Sequence, residues 1–286
     1  MRMQMIVVAS MLMLAMPIGT RTASANGEAA LPGLSVQLYS VRDDLAADFE
    51  GTLRQIAAMG FEAVEFAGNH GPYGEDPEGL KAFLDSLGLK VSGAHVSFEK
   101  MNDDNFAATT DYYKRLGTTL LIVPWDERAW SPDGIEWVVA TLNSLAVKVK
   151  PLGLRIGWHN HDKEFDAFRD TTYWDFIADN TTEDVVLQQD VAWTRAAGQD
   201  PANYVRKHPG RTLTTHVKAK VPEGTDAKPL IGQDDFDWPR LITALLEAGG
   251  TQWFVLEQEE YPDGLSPLQA VKVSKEGFEA YLADFR

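Results

Sequence analysis

The chain has 286 residues, 44% of them hydrophobic and 24% charged, a balance that excludes a collagen-like, low-complexity or broadly disordered protein. Its 42 acidic and 26 basic residues give a net charge of −16. A surface this acidic repels phosphate groups, and the sequence has no Lys/Arg cluster that would form a basic patch, so nucleic acid is excluded as an expected partner. The chain has no cysteine, so no disulfide or thiolate ligand contributes to its stability or chemistry.

The first 25 residues have the layout of a secretory signal peptide. Arg2 supplies the positive charge, residues 5–16 are apolar and uncharged, and a small-residue cleavage motif ends at Ala25. The apolar run is short for a membrane span, which needs about 20 residues. We therefore expect cleavage, export to the periplasm or beyond the cell, and no membrane attachment of the mature domain, residues 26–286.

Short apolar runs alternate with longer amphipathic stretches along the mature chain. Eight runs predict buried strands: Leu34–Tyr39, Ala63–Phe66, Lys90–Ala94, Thr119–Val123, Leu154–Trp158, Val185–Gln189, Leu213–Val217 and Trp253–Glu257. Apolar residues at helical spacing predict helices between them, and four of these are closed by glycine. The four cover Leu53–Met59, Leu80–Leu87, Ile135–Val149 and Leu241–Leu246.

This alternation predicts a single-domain (β/α)8 TIM barrel, an α/β fold that typically takes about 250 residues. A doubly wound open sheet is the alternative that periodicity leaves open. No G-x-G-x-x-G follows the first strand, so a dinucleotide-binding version of that sheet lacks its motif. No Pro/Gly/Ser-rich linker divides the chain, which favours one domain.

Polar residues gather where the predicted strands end, the place where such barrels have their active sites. Five of the six histidines stand near strand ends: His70, His95, His159, His161 and His216. Histidine with carboxylates and without cysteine is the ligand set of a borderline or hard divalent cation.

The fifth strand shows which way two of these histidines face. Alternation along residues 154–161 places Gly157, His159 and His161 on one side and the apolar residues on the other. Since the apolar side would meet the helices, both histidines are expected to face the barrel mouth.

Structural roles remain open for several of the polar residues. Glu65 and Lys218 would also suit a salt bridge inside the barrel, and Asp190 would suit a helix N-cap. The tryptophans at 125, 193 and 238 are as compatible with packing as with stacking on a sugar ring.

Several segments resemble the xylose isomerase-like TIM barrel superfamily, often labelled sugar phosphate isomerase/epimerase, over nearly all of the mature chain. The most specific is residues 158–165, WHNHDKEF, followed by HVK at 216–218. Further matching segments are 36–40 (VQLYS), 60–65 (GFEAVE), 189–190 (QD), 197–201 (AGQDP), 231–232 (IG), 236–238 (FDW) and 253–257 (WFVLE).

The resemblance implies a divalent metal, Mn, Co, Mg or Zn, at the mouth of the barrel. By position its ligands would be Asp190, His216 and Glu257. The ligand after the fifth strand is open among His159, His161 and Glu164, of which Glu164 is favoured.

The chain also departs from the family pattern. Trp193 stands where many members have histidine, and Ala219 stands where aspartate is frequent. The loss of a histidine beside the metal leaves the acid/base chemistry open.

The resemblance and the residues together predict a metal-dependent sugar isomerase or epimerase that removes a proton next to a carbonyl of a sugar or polyol. The candidate catalytic residues are Glu65, His95, His161 and Lys218. The candidate substrate-binding residues are Gln37, Trp125, His159 and Trp238. The candidate metal ligands are Glu164, Asp190, His216 and Glu257.

Two other functions stay open. Phosphorylated sugars are chiefly intracellular, so an exported member favours a free sugar or a glycoside, and the same chemistry on a 3-keto glycoside would eliminate the aglycone as a lyase or hydratase. A non-catalytic sugar-binding barrel is the second alternative. The expected partner is a small-molecule sugar or glycoside, and the sequence leaves the oligomeric state open.

Overall fold

Eight parallel strands close into a barrel in the computed structural model, which describes residues 30–286. The strands are β1 Gly33–Gln37, β2 Ala63–Phe66, β3 Lys90–His95, β4 Leu120–Val123, β5 Arg155–His159, β6 Val186–Asp190, β7 Thr214–Val217 and β8 Trp253–Leu256. The first strand pairs with both the second and the last, so the sheet has no open edge and the doubly wound alternative is excluded. The predicted signal peptide, residues 1–25, lies outside the described residues and stays a prediction.

Helices form the outer layer of the barrel. Between residues 30 and 286 they are α1 Arg42–Ala47, α2 Phe49–Ala58, α3 Pro77–Ser86, α4 Phe106–Leu116, α5 Ile135–Val149, α6 Tyr173–Asn180, α7 Val191–Ala196, α8 Pro201–Lys207, α9 Trp238–Ala244 and α10 Pro267–Leu282. The four helices that the sequence predicts from apolar spacing followed by a glycine are α2, α3, α5 and α9. Among these ten helices none is both long and apolar enough to cross a membrane.

Helix α2 shows how the sequence sets its bounds. The Asp48 carboxylate accepts a hydrogen bond from the Gly51 amide at 2.9 Å and caps the first turn. Leu53 and Ile56 are fully buried against the barrel, which stabilises the fold by roughly 1.5–3 kcal/mol for each side chain. Gly60 has a φ of 83°, the left-handed conformation that glycine adopts most easily, and it ends the helix as predicted.

Strand β5 has the predicted two-sided pattern. Ile156 and Trp158 are fully buried in the apolar layer. Gly157 lies on the other side, where an added Cβ would come within 2.7 Å of the Val186 carbonyl oxygen, so the barrel leaves no room for a side chain at this level. His159, the next residue on that side, is buried and bonded to Gln188.

Six helices lie outside the four sequence predictions. Two of them, α7 and α8, have only six and seven residues, which is too short for a clear helical period. Both lie between β6 and β7, and α7 begins directly after Asp190, which is its N-cap.

Candidate active site

The carboxyl ends of the strands bring most of the candidate residues together at one end of the barrel. The residues that meet there are Glu65, His95, His159, His161, Asp190, His216, Lys218 and Glu257. Apart from His95 and His161, which are partly exposed, all of these side chains are buried. A buried set this rich in charge must be paired internally, because an isolated buried charge is costly.

His216 lies at the centre of the cluster between two carboxylates. Its Nε2 donates to Glu65 Oε1 at 2.6 Å, and its Nδ1 lies 2.9 Å from Glu257 Oε2. Burial lowers the pKa of this imidazole, but Glu65 and Glu257 outweigh burial and raise the pKa to about 10. The imidazole is therefore cationic at neutral pH, and it donates a hydrogen bond to each of the two carboxylates.

Asp190 presents one carboxylate oxygen to the cluster without a partner. Its Oδ1 accepts from the amides of Ala192 and Trp193 at 2.9 and 3.1 Å, so Asp190 is the N-cap of α7, the structural role that the sequence left open beside metal binding. Its buried Oδ2 has no hydrogen-bond partner anywhere in residues 30–286. Burial raises the pKa of this carboxyl to about 6, although the Lys218 charge acts in the opposite direction.

These side chains fit a divalent cation. Asp190, His216 and Glu257 each have one ligand atom within 4.8 Å of the other two. Two carboxylates, one of them with a buried oxygen that lacks a hydrogen bond, and one imidazole form an N/O donor set that a borderline divalent cation favours. Glu65 would then orient the ligating imidazole through its second nitrogen, as carboxylates commonly do beside metal-bound histidines.

Lys218 supplies a positive charge to the same carboxylates. Its ammonium lies 3.6 Å from Asp190 Oδ2 and 3.4 Å from Glu257 Oε2, and it also contacts Glu259. Burial lowers the pKa of Lys218, but these three carboxylates outweigh burial and raise it. Lys218 therefore pairs with Asp190, Glu257 and Glu259, and not with Glu65, the alternative salt-bridge partner that the sequence left open.

Gln188 is a member of the site that sequence analysis missed. Its Nε2 donates to Glu65 Oε2 at 2.8 Å, which orients its Oε1 towards two histidines. That oxygen accepts from His95 Nε2 at 2.8 Å and from His159 Nδ1 at 3.0 Å. His159 is therefore held with its Nε2 free to serve as an acceptor or metal ligand.

The spacing between Gln188 and Asp190 in the sequence indicates that Gln188 belongs to the site. It lies two residues before Asp190 on β6 and so shares its inward face, and it is fully buried. A fully buried amide needs several hydrogen-bond partners, and the barrel interior supplies them.

A cavity of about 370 Å³ opens above the cluster. Its polar wall includes His95, His159, His161, Lys218 and Glu257, and its aromatic wall includes Tyr39, Trp125 and Trp193. Tyr39 and Trp125 are 44% and 47% exposed, which is high for residues of this size and leaves aromatic surface for a ligand. The predicted position of Trp125 beside the site is thus observed.

His161 lies in the wall of this cavity between aromatic rings. Its ring centroid is 4.9 Å from that of Trp125 and 5.5 Å from that of Trp193. Its buried Nδ1 has no hydrogen-bond partner within residues 30–286. Burial, together with the Lys218 charge, lowers the pKa of His161 to about 4, so this imidazole is neutral at neutral pH.

Two candidates lie beneath the cavity rather than in its wall. Gln37 is fully buried, and its Nε2 donates to Glu65 Oε1 at 2.8 Å. Glu65 is also fully buried, and although burial would raise its pKa, the charges of His216 and His95 lower it. Both side chains therefore support the histidines from below instead of facing a ligand.

Two further candidates lie outside the cluster. Glu164 accepts from the His161 amide at 2.9 Å and from Trp158 Nε1 at 3.3 Å, so the expected metal ligand instead holds the loop after β5. Trp238 is fully buried at the start of α9, donates to Asp234 and packs edge-on against Phe278, so the expected sugar-stacking residue is part of the core.

A closed barrel of eight parallel strands, with its polar cavity at the carboxyl ends of the strands, defines the chain as a (β/α)8 TIM barrel. Residues 53–283 match the model of the xylose isomerase-like TIM barrel family, and the chain belongs to this family. The family named in the sequence analysis is therefore confirmed.

Individual relatives are distant. An inosose dehydratase of Lacticaseibacillus casei is 24% identical over 271 residues, which cover 79% of this chain and 88% of the relative. A sugar phosphate isomerase/epimerase from Parabacteroides distasonis has a similar structure, with a TM-score of 0.73, 22% identity and coverage of 91% of this chain and 97% of that one. The IOLI protein, solved with a zinc atom, matches with a TM-score of 0.65 and 14% identity over 89% of this chain and 99% of its own.

Proposed function

We propose that the chain is a divalent-metal-dependent enzyme that transfers a proton next to a carbonyl of a sugar or polyol, giving isomerisation or epimerisation. The observation that carries this proposal is the buried Asp190 Oδ2, which has no hydrogen bond within residues 30–286 and lies 3.6 Å from the Lys218 ammonium, beside His216 and the cavity-lining Glu257. Asp190, His216 and Glu257 would hold the cation, with His159 Nε2 as a fourth donor. The bound cation would supply Lewis-acid stabilisation of negative charge on the carbonyl oxygen of the substrate.

His161 is our candidate for the group that carries the proton. It lines the cavity and its imidazole is neutral at neutral pH, so the ring can accept a proton from a substrate without first losing one.

Lys218 and Trp125 would hold the substrate. The Lys218 ammonium lines the cavity and would donate to a substrate hydroxyl or to a developing oxyanion. The exposed face of Trp125 would stack on the apolar face of a sugar ring.

An elimination is the second candidate, because the inosose dehydratase matches most of both chains. Loss of a group from the carbon β to the carbonyl begins with the same proton abstraction, so the site needs no further cofactor for it. The expected export of residues 26–286 favours a free sugar, a keto-polyol or a 3-keto glycoside over a sugar phosphate as the substrate.

Metal content and solvent exchange test the proposal. The purified wild-type chain should hold close to one divalent metal per molecule and should exchange deuterium from D2O into keto-sugars. Asp190→Asn and His216→Ala should lose both properties, whereas Asp103→Asn, at a highly exposed carboxylate, should lose neither. A wild-type chain that binds no Mn, Co, Zn or Mg at micromolar concentration would contradict the proposal, and sugar binding without exchange would favour the non-catalytic barrel.

A further inference from the structure

A second cavity, of about 490 Å³, adjoins the first one. Gly68 and His95 belong to the walls of both cavities, so the two spaces meet at these residues. The rest of the second wall comes from the loop after β2, the loop after β3 and one side of α4. Whole-ligand pockets typically span roughly 300–1,000 Å³, so each cavity is large enough for a ring of its own.

The wall of the second cavity has the chemistry of a site for a hydroxylated ring. Ser97, Asn105 and Thr109 supply hydroxyl and amide groups, and Tyr112 and Tyr113 supply aromatic surface. Lys100 adds an ammonium group, and no carboxylate of residues 30–286 lines this cavity, although the chain carries a net charge of −16. Hydroxyl, amide and aromatic groups beside a single ammonium suit a polyol or sugar ring, whose hydroxyl oxygens can accept hydrogen bonds from Lys100.

One polar atom in this wall lacks a partner. His70 lines the second cavity, and its buried Nε2 makes no hydrogen bond to any of residues 30–286. Burial lowers the pKa of His70 to about 4, so its ring is neutral at neutral pH. This nitrogen is closed off from the cavity, and the His70 ring packs with its centroid 5.1 Å from that of Phe66 and 4.9 Å from that of Tyr112, so His70 shapes the wall.

We propose that the second cavity is a subsite for the ring attached to the reacting sugar, so that the substrate is a two-ring glycoside rather than a single sugar. This inference rests on the proposed function for the identity of the reacting ring. His95, at the junction, would lie beside the bond that joins the two rings. The first cavity would position the carbonyl-bearing ring, and the second would hold the leaving or distal ring through Lys100 and the polar and aromatic side chains of its wall.

A pair of neighbouring alanines on α4 offers a matched test. Ala108 is exposed and lines the second cavity, so Ala108→Trp would fill it from a surface position that tolerates a large side chain. Ala107 is equally exposed but is not part of the wall, so Ala107→Trp is the control for the added indole.

The binding experiment uses glucose against cellobiose, maltose and phenyl β-D-glucoside, measured by calorimetry on the wild-type chain. We expect at least one two-ring probe to bind tenfold or more tightly than glucose. Ala108→Trp should remove this preference and leave the glucose affinity within twofold, whereas Ala107→Trp should keep it. Equal or undetectable binding of all the probes, or an unchanged preference in Ala108→Trp, would overturn the subsite.

A parallel measurement separates this inference from the proposed function. Deuterium exchange into keto-sugars tests the chemistry of the first cavity and does not depend on the second. Exchange without a two-ring preference overturns the subsite alone. A two-ring preference that Ala108→Trp removes, without exchange on any keto-sugar or keto-glycoside, supports the subsite and overturns the proposed reaction.

Discussion

Metal binding should be strongly linked to pH through His216. In the metal-free site the imidazole is held as a cation by Glu65 and Glu257, with a pKa of about 10. A histidine binds a metal through a deprotonated ring nitrogen, so the metal ion has to displace the proton on His216 Nδ1. At pH 7, roughly three units below the pKa, this displacement weakens the apparent affinity about a thousandfold, or about 4 kcal/mol.

The pKa values of His216 and Asp190 set the sign and the slope of this pH dependence. Because the His216 pKa is raised, the competing proton is present at pH 7 and is lost as the pH rises towards 10. The apparent metal affinity should therefore rise about tenfold per unit between pH 7 and 9. Below about pH 6 Asp190 also binds a proton, so the slope should approach two protons per metal there.

Calorimetric titration with Mn²⁺ in two buffers of different ionisation enthalpy would count the protons released. We expect close to one proton per metal at pH 7.5. Glu65→Gln removes one of the carboxylates that raise the His216 pKa, so it should reduce the pH dependence, whereas Glu99→Gln, at an exposed carboxylate, should not. An affinity that is flat between pH 7 and 9, with no proton release, would refute this account of His216.

Four substitutions test individual roles in the site and the core. Asp190→Asn keeps an N-cap side chain for α7, so we expect thermal unfolding within a few degrees of wild type but metal affinity at least a hundredfold weaker by titration. His161→Gln should slow solvent exchange by about a hundredfold or more while metal affinity stays within threefold, and equal losses of both would contradict a proton-transfer role. Trp238→Ala should cost about 3–5 kcal/mol in denaturant unfolding because the side chain is fully buried, whereas Trp125→Ala, at a 47% exposed residue, should leave stability nearly unchanged and raise KM. A stability loss at Trp125 that matches the loss at Trp238 would show that Trp125 is also a packing residue.

The strands and the inward-facing histidines could be predicted because both depend on the pattern of apolar and polar residues within a short segment of the sequence. All eight predicted strands are observed with bounds shifted by at most two residues, since a barrel strand is an apolar run with a fixed side-chain alternation. His159 and His161 reach the cavity on the face that this alternation predicted.

The roles of Glu164, Trp238 and Glu65 could not be predicted in the same way. Glu164 follows a strand, but its carboxylate is occupied by a nearby amide and an indole, which sequence spacing does not show. Trp238 comes after a loop, and only the packing of α9 onto α10 shows that it is buried. Glu65 is inward-facing as expected, yet its depth under His216 makes it a support for that ring.

The position of Lys218 has a consequence for how the protein matures. Asp190 and Glu257 would repel each other in an empty site, and the Lys218 ammonium between them offsets that repulsion. The newly made polypeptide would therefore complete its barrel without the proposed metal ion. Metal binding would then be a late exchange of one cation for another, and Glu259 would keep the displaced ammonium paired.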